Sequence, residues 1–198
     1  MAYQTLVELA DARRTQAAAA DELLGDGLGQ LLAGLYTENA HFVFELLQNA
    51  EDARATDVDF DLKASRLVFT HNGTDPFTLA DIESITTIKS TKKDDETKIG
   101  QFGVGFKAVF SYTSRPEIRS GEFSFAIEKL FVPVPLNAST TTASTIFTFP
   151  FDRPEKPKQV AHDEIAQRLQ ELDESTLLFL RSIRSIGYRL SDGTRGRI

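Results

Sequence analysis

The chain has 198 residues, 41% hydrophobic and 26% charged, with 22 Lys and Arg against 29 Asp and Glu for a net charge of −7. That is room for one sizeable domain, and the acidity argues against direct nucleic-acid binding or attraction to an anionic membrane surface. Cysteine is absent, which excludes disulfide scaffolds and thiolate metal sites; with no signal-like start and no apolar run near the roughly 20 residues of a membrane span, the expected location is cytoplasmic.

In chain order, residues 1–24, rich in Ala, Leu, Glu, Arg and Gln, predict a helix that Gly25, Gly27 and Gly29 end. A second helix is expected over Thr37 to Ala55. Val58 to Lys63, which alternates apolar and polar, and Arg66 to Thr70 read as short strands, and His71 to Pro76 reads as a turn. Thr78 to Ile88 predicts a short helix with Leu79, Ile82 and Ile85 on one face, followed by a loop over Ser90 to Lys98. Phe106 to Tyr112 predicts a helix, Glu117 to Phe131 a β-meander, and Thr145 to Phe151 a further strand. The tail reads as helices over Gln159 to Leu172 and Leu177 to Ser182, then a strand over Ile186 to Leu190. The 15 Phe beside one Met and no Trp point to a core of Phe, Leu and Ile. Helices interleaved with alternating strands make an α/β sandwich, one sheet face covered by helices.

Four segments place polar residues unusually. In the run Phe42 to Ala53, apolar enough to predict burial on most sides, Glu45, Asn49 and Asp52 fall at i, i+4 and i+7 on one helix face. Two carboxylates and an amide there suit a hard cation such as Mg²⁺, which takes oxygen ligands and keeps waters that a carboxylate orients; a solvent-facing polar stripe has the same spacing. Ile99 to Lys107 carries glycines in G-x-x-G-x-G order ahead of a helix. That pattern lets backbone N–H groups close on a phosphate, or makes a turn with no ligand. It is neither the dinucleotide-binding order nor a Walker loop. His71-Asn72-Gly73 ends a strand with a side chain able to reach a pocket or to cap a turn. Lys89 to Glu96 puts hydroxyls and cations just before the glycines, as a phosphate lid or as a solvated loop.

Taken together, these segments resemble the GHKL ATPase superfamily of gyrase, heat-shock-90 chaperones, histidine kinases and MutL. ELLQNAEDA, from Glu45 to Ala53, is similar to the N-box, and IGQFGVGF, from Ile99 to Phe106, to the second glycine box of heat-shock-90 chaperones. The N-box wording, the HNG turn and GFKAVFSYT look closer still to the sacsin-like branch, as does LLFLRSIRSI in the tail. The likeness covers residues 35 to 151. It implies a Bergerat fold: a two-layer α/β (α+β) sandwich whose mixed, mainly antiparallel sheet is covered on one face by helices, with an ATP lid.

The resemblance also implies roles. Glu45 matches the general base that orients the attacking water and meets Mg²⁺ through it, and Asn49 matches the Mg²⁺ ligand. Asp52 and Ala53 match the sugar and base side of the pocket. His71, Asn72, Gly73 and Phe77 match the first glycine box region, and Thr145 a threonine near the adenine. Gly100, Gly103 and Gly105, with Gln101, Phe102, Val104 and Phe106, match the phosphate cradle. Ile88 to Lys98 matches the lid, with Ser90, Thr91 and Lys98 as nucleotide contacts. One departure stands out: His71 holds the place of an Asp that accepts a bond from the adenine amino group. A neutral imidazole would have to accept through its unprotonated nitrogen.

The implied function is Mg²⁺-dependent ATP binding and slow ATP hydrolysis, with ATP and ADP as ligands. Lid closure would couple nucleotide state to a protein client or a downstream domain, as in chaperone-like relatives. The alternative is a non-catalytic nucleotide-binding switch or interaction module with altered base recognition. Residues 1–198 are expected to form a single nucleotide-binding domain. Its motif core is 35–151, and 152–198 adds helices and the start of a strand that would lead into a transducer domain. The sequence leaves the oligomeric state open.

Overall fold

A computed structural model describes residues 3–24, 40–87, 106–137 and 141–198. In chain order they form α1 (Leu6–Leu24), α2 (Phe42–Asp52), β1 (Asp57–Lys63), β2 (Arg66–His71), α3 (Leu79–Ile85), a 3₁₀ helix (Phe106–Ser111), β3 (Glu117–Gly121), β4 (Phe123–Glu128), β5 (Val132–Pro135), β6 (Thr142–Pro150), α4 (Lys158–Gln170), α5 (Glu174–Leu177), β7 (Ser185–Arg189) and β8 (Arg195–Arg197). The strands make one sheet in the order β5-β4-β3-β6-β2-β1-β7-β8, in which β1 and β7 run parallel and the other described pairs antiparallel. This is the expected mixed, mainly antiparallel sheet. Among the described residues no helix is long and apolar enough to cross a membrane.

Register explains the core. One row of paired residues crosses six strands as Tyr188, Phe60, Phe69, Phe147, Ile118 and Phe125. Alternation puts these side chains on the face that α2, the 3₁₀ helix and α4 cover. Phe60, Phe69, Phe125, Phe147 and Phe149 are fully buried there, as the Phe-rich composition predicts. The next row runs Ile186, Val58, His71, Thr145. It is apolar over β7 and β1, then turns polar over β2 and β6. The other face of β1 carries Asp59 and Asp61, the latter paired with Arg189 from β7 at 3.1 Å and with Lys63 at 2.9 Å.

Several boundaries differ from expectation for local reasons. α2 starts at Phe42 because Ala40 sits at φ 53, outside helical space, with its N–H donated to the Tyr112 hydroxyl at 2.7 Å. It ends at Asp52 because Arg54 takes a left-handed φ of 57. The Arg54 and Ala55 N–H groups then bond Glu51 and Ala50 carbonyls, a Schellman stop built without glycine. α2 is also amphipathic rather than buried on most sides: Phe42, Val43, Leu46, Leu47 and Ala50 are buried, whereas Phe44, Gln48 and Asp52 are exposed.

α3 is opened by a reciprocal Thr78–Asp81 capping box and stops at Ile85, short of Ile88. Phe106 to Tyr112 forms a 3₁₀ rather than an α-helix, and β6 begins three residues before Thr145. The helix expected over Leu177 to Ser182 is displaced to Glu174–Leu177, capped by the Asp173 carboxylate. Beyond it, the backbone N–H groups of Arg181, Ser182 and Ile183 are spent on the Glu51 carboxylate, at 2.9, 2.7 and 3.1 Å. β7 leads into a hairpin with β8, missed in the sequence, whose turn uses Gly193 at φ 92.

Candidate functional site

α2 presents Glu45, Asn49 and Asp52 along one edge, as their spacing predicts. Glu45 is half-buried with its Oε1 4.0 Å from His41 Nε2, one turn earlier on the same face. Asn49 is half-buried and its amide has no hydrogen-bond partner among the described residues. Asp52 accepts from the Gln48 amide at 3.2 Å and is otherwise exposed. Glu51, on the same helix, behaves differently. Burial raises its pKa, but the three backbone N–H donors of Arg181, Ser182 and Ile183 outweigh it and hold the carboxyl below the usual range.

Asn49, Asp52 and Ala53 form one wall of a cavity of about 400 Å³; His71, Phe77 and Phe147 line its inner end, and Asp75, Thr78 and Asp81 its rim. Size and mixed lining fit a small organic ligand. Of the rim carboxylates, Asp75 is paired with Arg54, and Asp81 is taken up by the Thr78 cap. Phe77 meets Phe147 edge-on, ring centroids 6.0 Å apart. Below them, the hydroxyls of Ser120 and Thr145, both buried, lie 2.6 Å apart, and Ser120 accepts from the Phe77 N–H at 2.9 Å.

His71, the last residue of β2, is buried, and burial pushes its imidazole from the ordinary 6.5 down to about 4, so it is neutral. Its Nδ1 accepts the Gly73 N–H at 3.1 Å. The nitrogen that could have accepted from an adenine amino group is therefore already occupied, and the ring's remaining nitrogen, Nε2, carries the proton. Gly73 can be only glycine here: a Cβ would sit 2.6 Å from the Ala53 carbonyl and 2.9 Å from His71 Nδ1. That approach joins the end of α2 to the end of β2.

The structure thus brings Asn49, Asp52, Ala53, His71 and Phe77 together around one cavity, with Glu45 on the same edge of α2 and Thr145 opposite His71 across β2 and β6. It does not bring Asn72 there, whose amide bonds Thr56 and Asp57 instead. Phe106 is buried in the core against Phe147 and Phe149 rather than lining the cavity. Ser90, Thr91, Lys98, Gly100, Gln101, Phe102, Gly103, Val104 and Gly105 lie outside the described residues. Phe147, Ser120 and His41 were missed: the first two read as ordinary strand residues, and His41 has a sequence signal only in its i,i+4 spacing to Glu45.

Comparison with known proteins bears on the family and the fold. The sacsin domain family matches residues 24–133. Protein NO VEIN of Arabidopsis thaliana is 28% identical over 195 residues, covering 84% of this chain and 7% of the relative. Sacsin of Homo sapiens is 35% identical over 105 residues, covering 44% of this chain and 2% of the relative, so the chain spans only a small part of either protein. In fold it is similar to the topoisomerase IV ATP-binding domain of Francisella tularensis, with TM-score 0.56 and 16% identity over 87% of this chain and 94% of that one. It is also similar to the N-terminal domain of a DNA repair protein, with TM-score 0.52 and 16% identity over 85% and 54%. With residues 24–133 matched and a sheet similar in fold to that of the topoisomerase IV domain, the chain belongs to the sacsin domain family and has a GHKL-type fold.

Proposed function

We propose that the chain binds a nucleoside triphosphate with Mg²⁺ and hydrolyses it slowly. The observation that carries this reading is the Asn49 amide, without a hydrogen-bond partner among the described residues, and the half-open Glu45 carboxylate on the edge of α2 that borders the cavity. Asn49 would hold Mg²⁺ through its amide oxygen, a hard donor of the kind the ion prefers; the ion, when bound, neutralises charge on the phosphates. Glu45 accepts a hydrogen bond from the attacking water and aims it at the terminal phosphorus. The water oxygen forms the new P–O bond as the bond to the nucleoside diphosphate breaks, and Glu45 takes up the released proton. His41, beside Glu45, positions that carboxylate.

Backbone N–H groups of the segment holding Gly100, Gly103 and Gly105 cradle the phosphates, a role proposed from its sequence. The flat ring of the nucleoside enters the cavity lined by Phe77, Phe147, Ala53 and His71. Ser90, Thr91 and Lys98 belong to a lid whose closure relays nucleotide state to a client protein or a downstream domain, making the chain a chaperone-like module.

Thermal-shift measurements with a nucleoside triphosphate, the diphosphate and a non-hydrolysable analogue, each with and without Mg²⁺, test binding; a Mg²⁺-dependent rise is expected. Steady-state phosphate release with Glu45→Ala as control separates the enzyme from a second reading, a binding switch without turnover. The occupied Nδ1 of His71, which alters base recognition, favours that second reading.

A further inference from the structure

We propose that His71 reads its ligand as a hydrogen-bond donor, through Nε2–H, and that the cavity therefore prefers a ring bearing an oxo group on the edge that meets His71, a 6-oxopurine, over a 6-aminopurine. The inference rests on the nucleotide reading above and names its base. A backbone N–H can only donate, so the Gly73 N–H at 3.1 Å fixes Nδ1 of His71 as the acceptor and leaves the ring proton on Nε2. Protonation of both nitrogens is suppressed by burial, so the ring keeps this form across the neutral range.

Among the described residues, no other side chain lining the inner end of the cavity offers a polar atom for the contact. The Phe77 and Phe147 rings and the Ala53 methyl have no polar atoms to offer, and the Ser120 and Thr145 hydroxyls bond one another beneath them. The acceptors of the cavity, the Asn49 amide oxygen and the carboxylates of Asp52, Asp75 and Asp81, stand at its wall and rim. All three carboxylates have partners: Asp52 accepts from Gln48, Asp75 from Arg54 and Asp81 from the Thr78 cap.

A flat ring entering the cavity beside Phe77 and Phe147 meets the closed end with the exocyclic group that projects furthest from it. An amino group there would set donor against donor, leaving two buried N–H groups unpaired. An oxo group accepts the Nε2–H.

The test is calorimetric titration of the full chain with Mg²⁺ and either ITP or ATP, which differ at that group. Wild type is expected to bind ITP about tenfold more tightly than ATP, and His71→Asp, an acceptor in place of the donor, to reverse the order. Should His71→Asp fail to fold by circular dichroism, His71→Asn, whose amide offers both a donor and an acceptor, is expected to bring the two affinities within about threefold. Tighter ATP than ITP binding by wild type, or a ratio unchanged by the folded substitution, overturns the inference and leaves the nucleotide reading standing. Binding of neither overturns both.

Discussion

Along α2, Glu51 faces the C-terminal segment while Glu45, Asn49 and Asp52 face the cavity side. Glu51 accepts three successive backbone N–H groups, from Arg181, Ser182 and Ile183, and so ties the approach to β7 onto the helix. Glu45 and Asn49 have no such backbone tether among the described residues. A carboxylate whose lone pairs are filled by N–H groups has no capacity left for a ligand, whereas an amide and a carboxylate with open lone pairs beside a cavity do. The same residue types on one helix thus divide into a clamp and a site by what stands opposite them.

The largest effect that would break this division is on turnover. Glu45→Gln should lower phosphate release about 10²–10⁴-fold while the melting temperature stays within about 2 °C of wild type. A large loss of stability instead would make Glu45 a second clamp.

Next in size is the acid sensitivity of the inner end. The unfolded chain protonates His71 at the ordinary 6.5, whereas the folded imidazole stays neutral to about 4. Its contribution is therefore complete above 6.5 and lost as pH falls to about 4, on the order of 3 kcal/mol. Urea unfolding of wild type and His71→Asn across pH 4 to 7 should show curves that diverge below 6.5.

Smaller still is the clamp. Glu51→Gln should cost about 1–3 kcal/mol, read as a fall in melting temperature of roughly 2–10 °C, with phosphate release unchanged in the cold. Because Glu51 is held below the usual carboxylate range, the wild-type clamp is present above that range and released as pH falls through the lowered value. The smallest effect belongs to Arg54→Ala. The Arg54–Asp75 pair is exposed on both sides, so differential scanning fluorimetry should detect no shift.

Much of the scaffold was legible in the sequence. The strands expected from Val58 and Arg66 match β1 and β2 to within one residue, the helix expected from Thr78 matches the start of α3, and the spacing of Glu45, Asn49 and Asp52 put them on one edge of α2. What escaped was set by partners distant in sequence or by backbone geometry. The Glu51 clamp joins residues about 130 positions apart, so nothing near ELLQNAEDA distinguishes Glu51 from Glu45. The α2 boundaries depend on left-handed Ala40 and Arg54, residue types that usually continue a helix. The proton on His71 Nε2 depends on a bond two residues away that forms only when Gly73 packs under Ala53. The hairpin of β7 and β8 has a three-residue second strand, too short to show alternation.

The most direct measurement is calorimetric titration of wild type and Asn49→Ala with ATP and ITP, with and without Mg²⁺. The account predicts Mg²⁺-dependent binding to wild type and at least about tenfold weaker binding to Asn49→Ala in Mg²⁺, with the Mg²⁺ dependence gone. Equal affinities for the two proteins, or binding to wild type that ignores Mg²⁺, would contradict the assignment of this edge of α2 as the site.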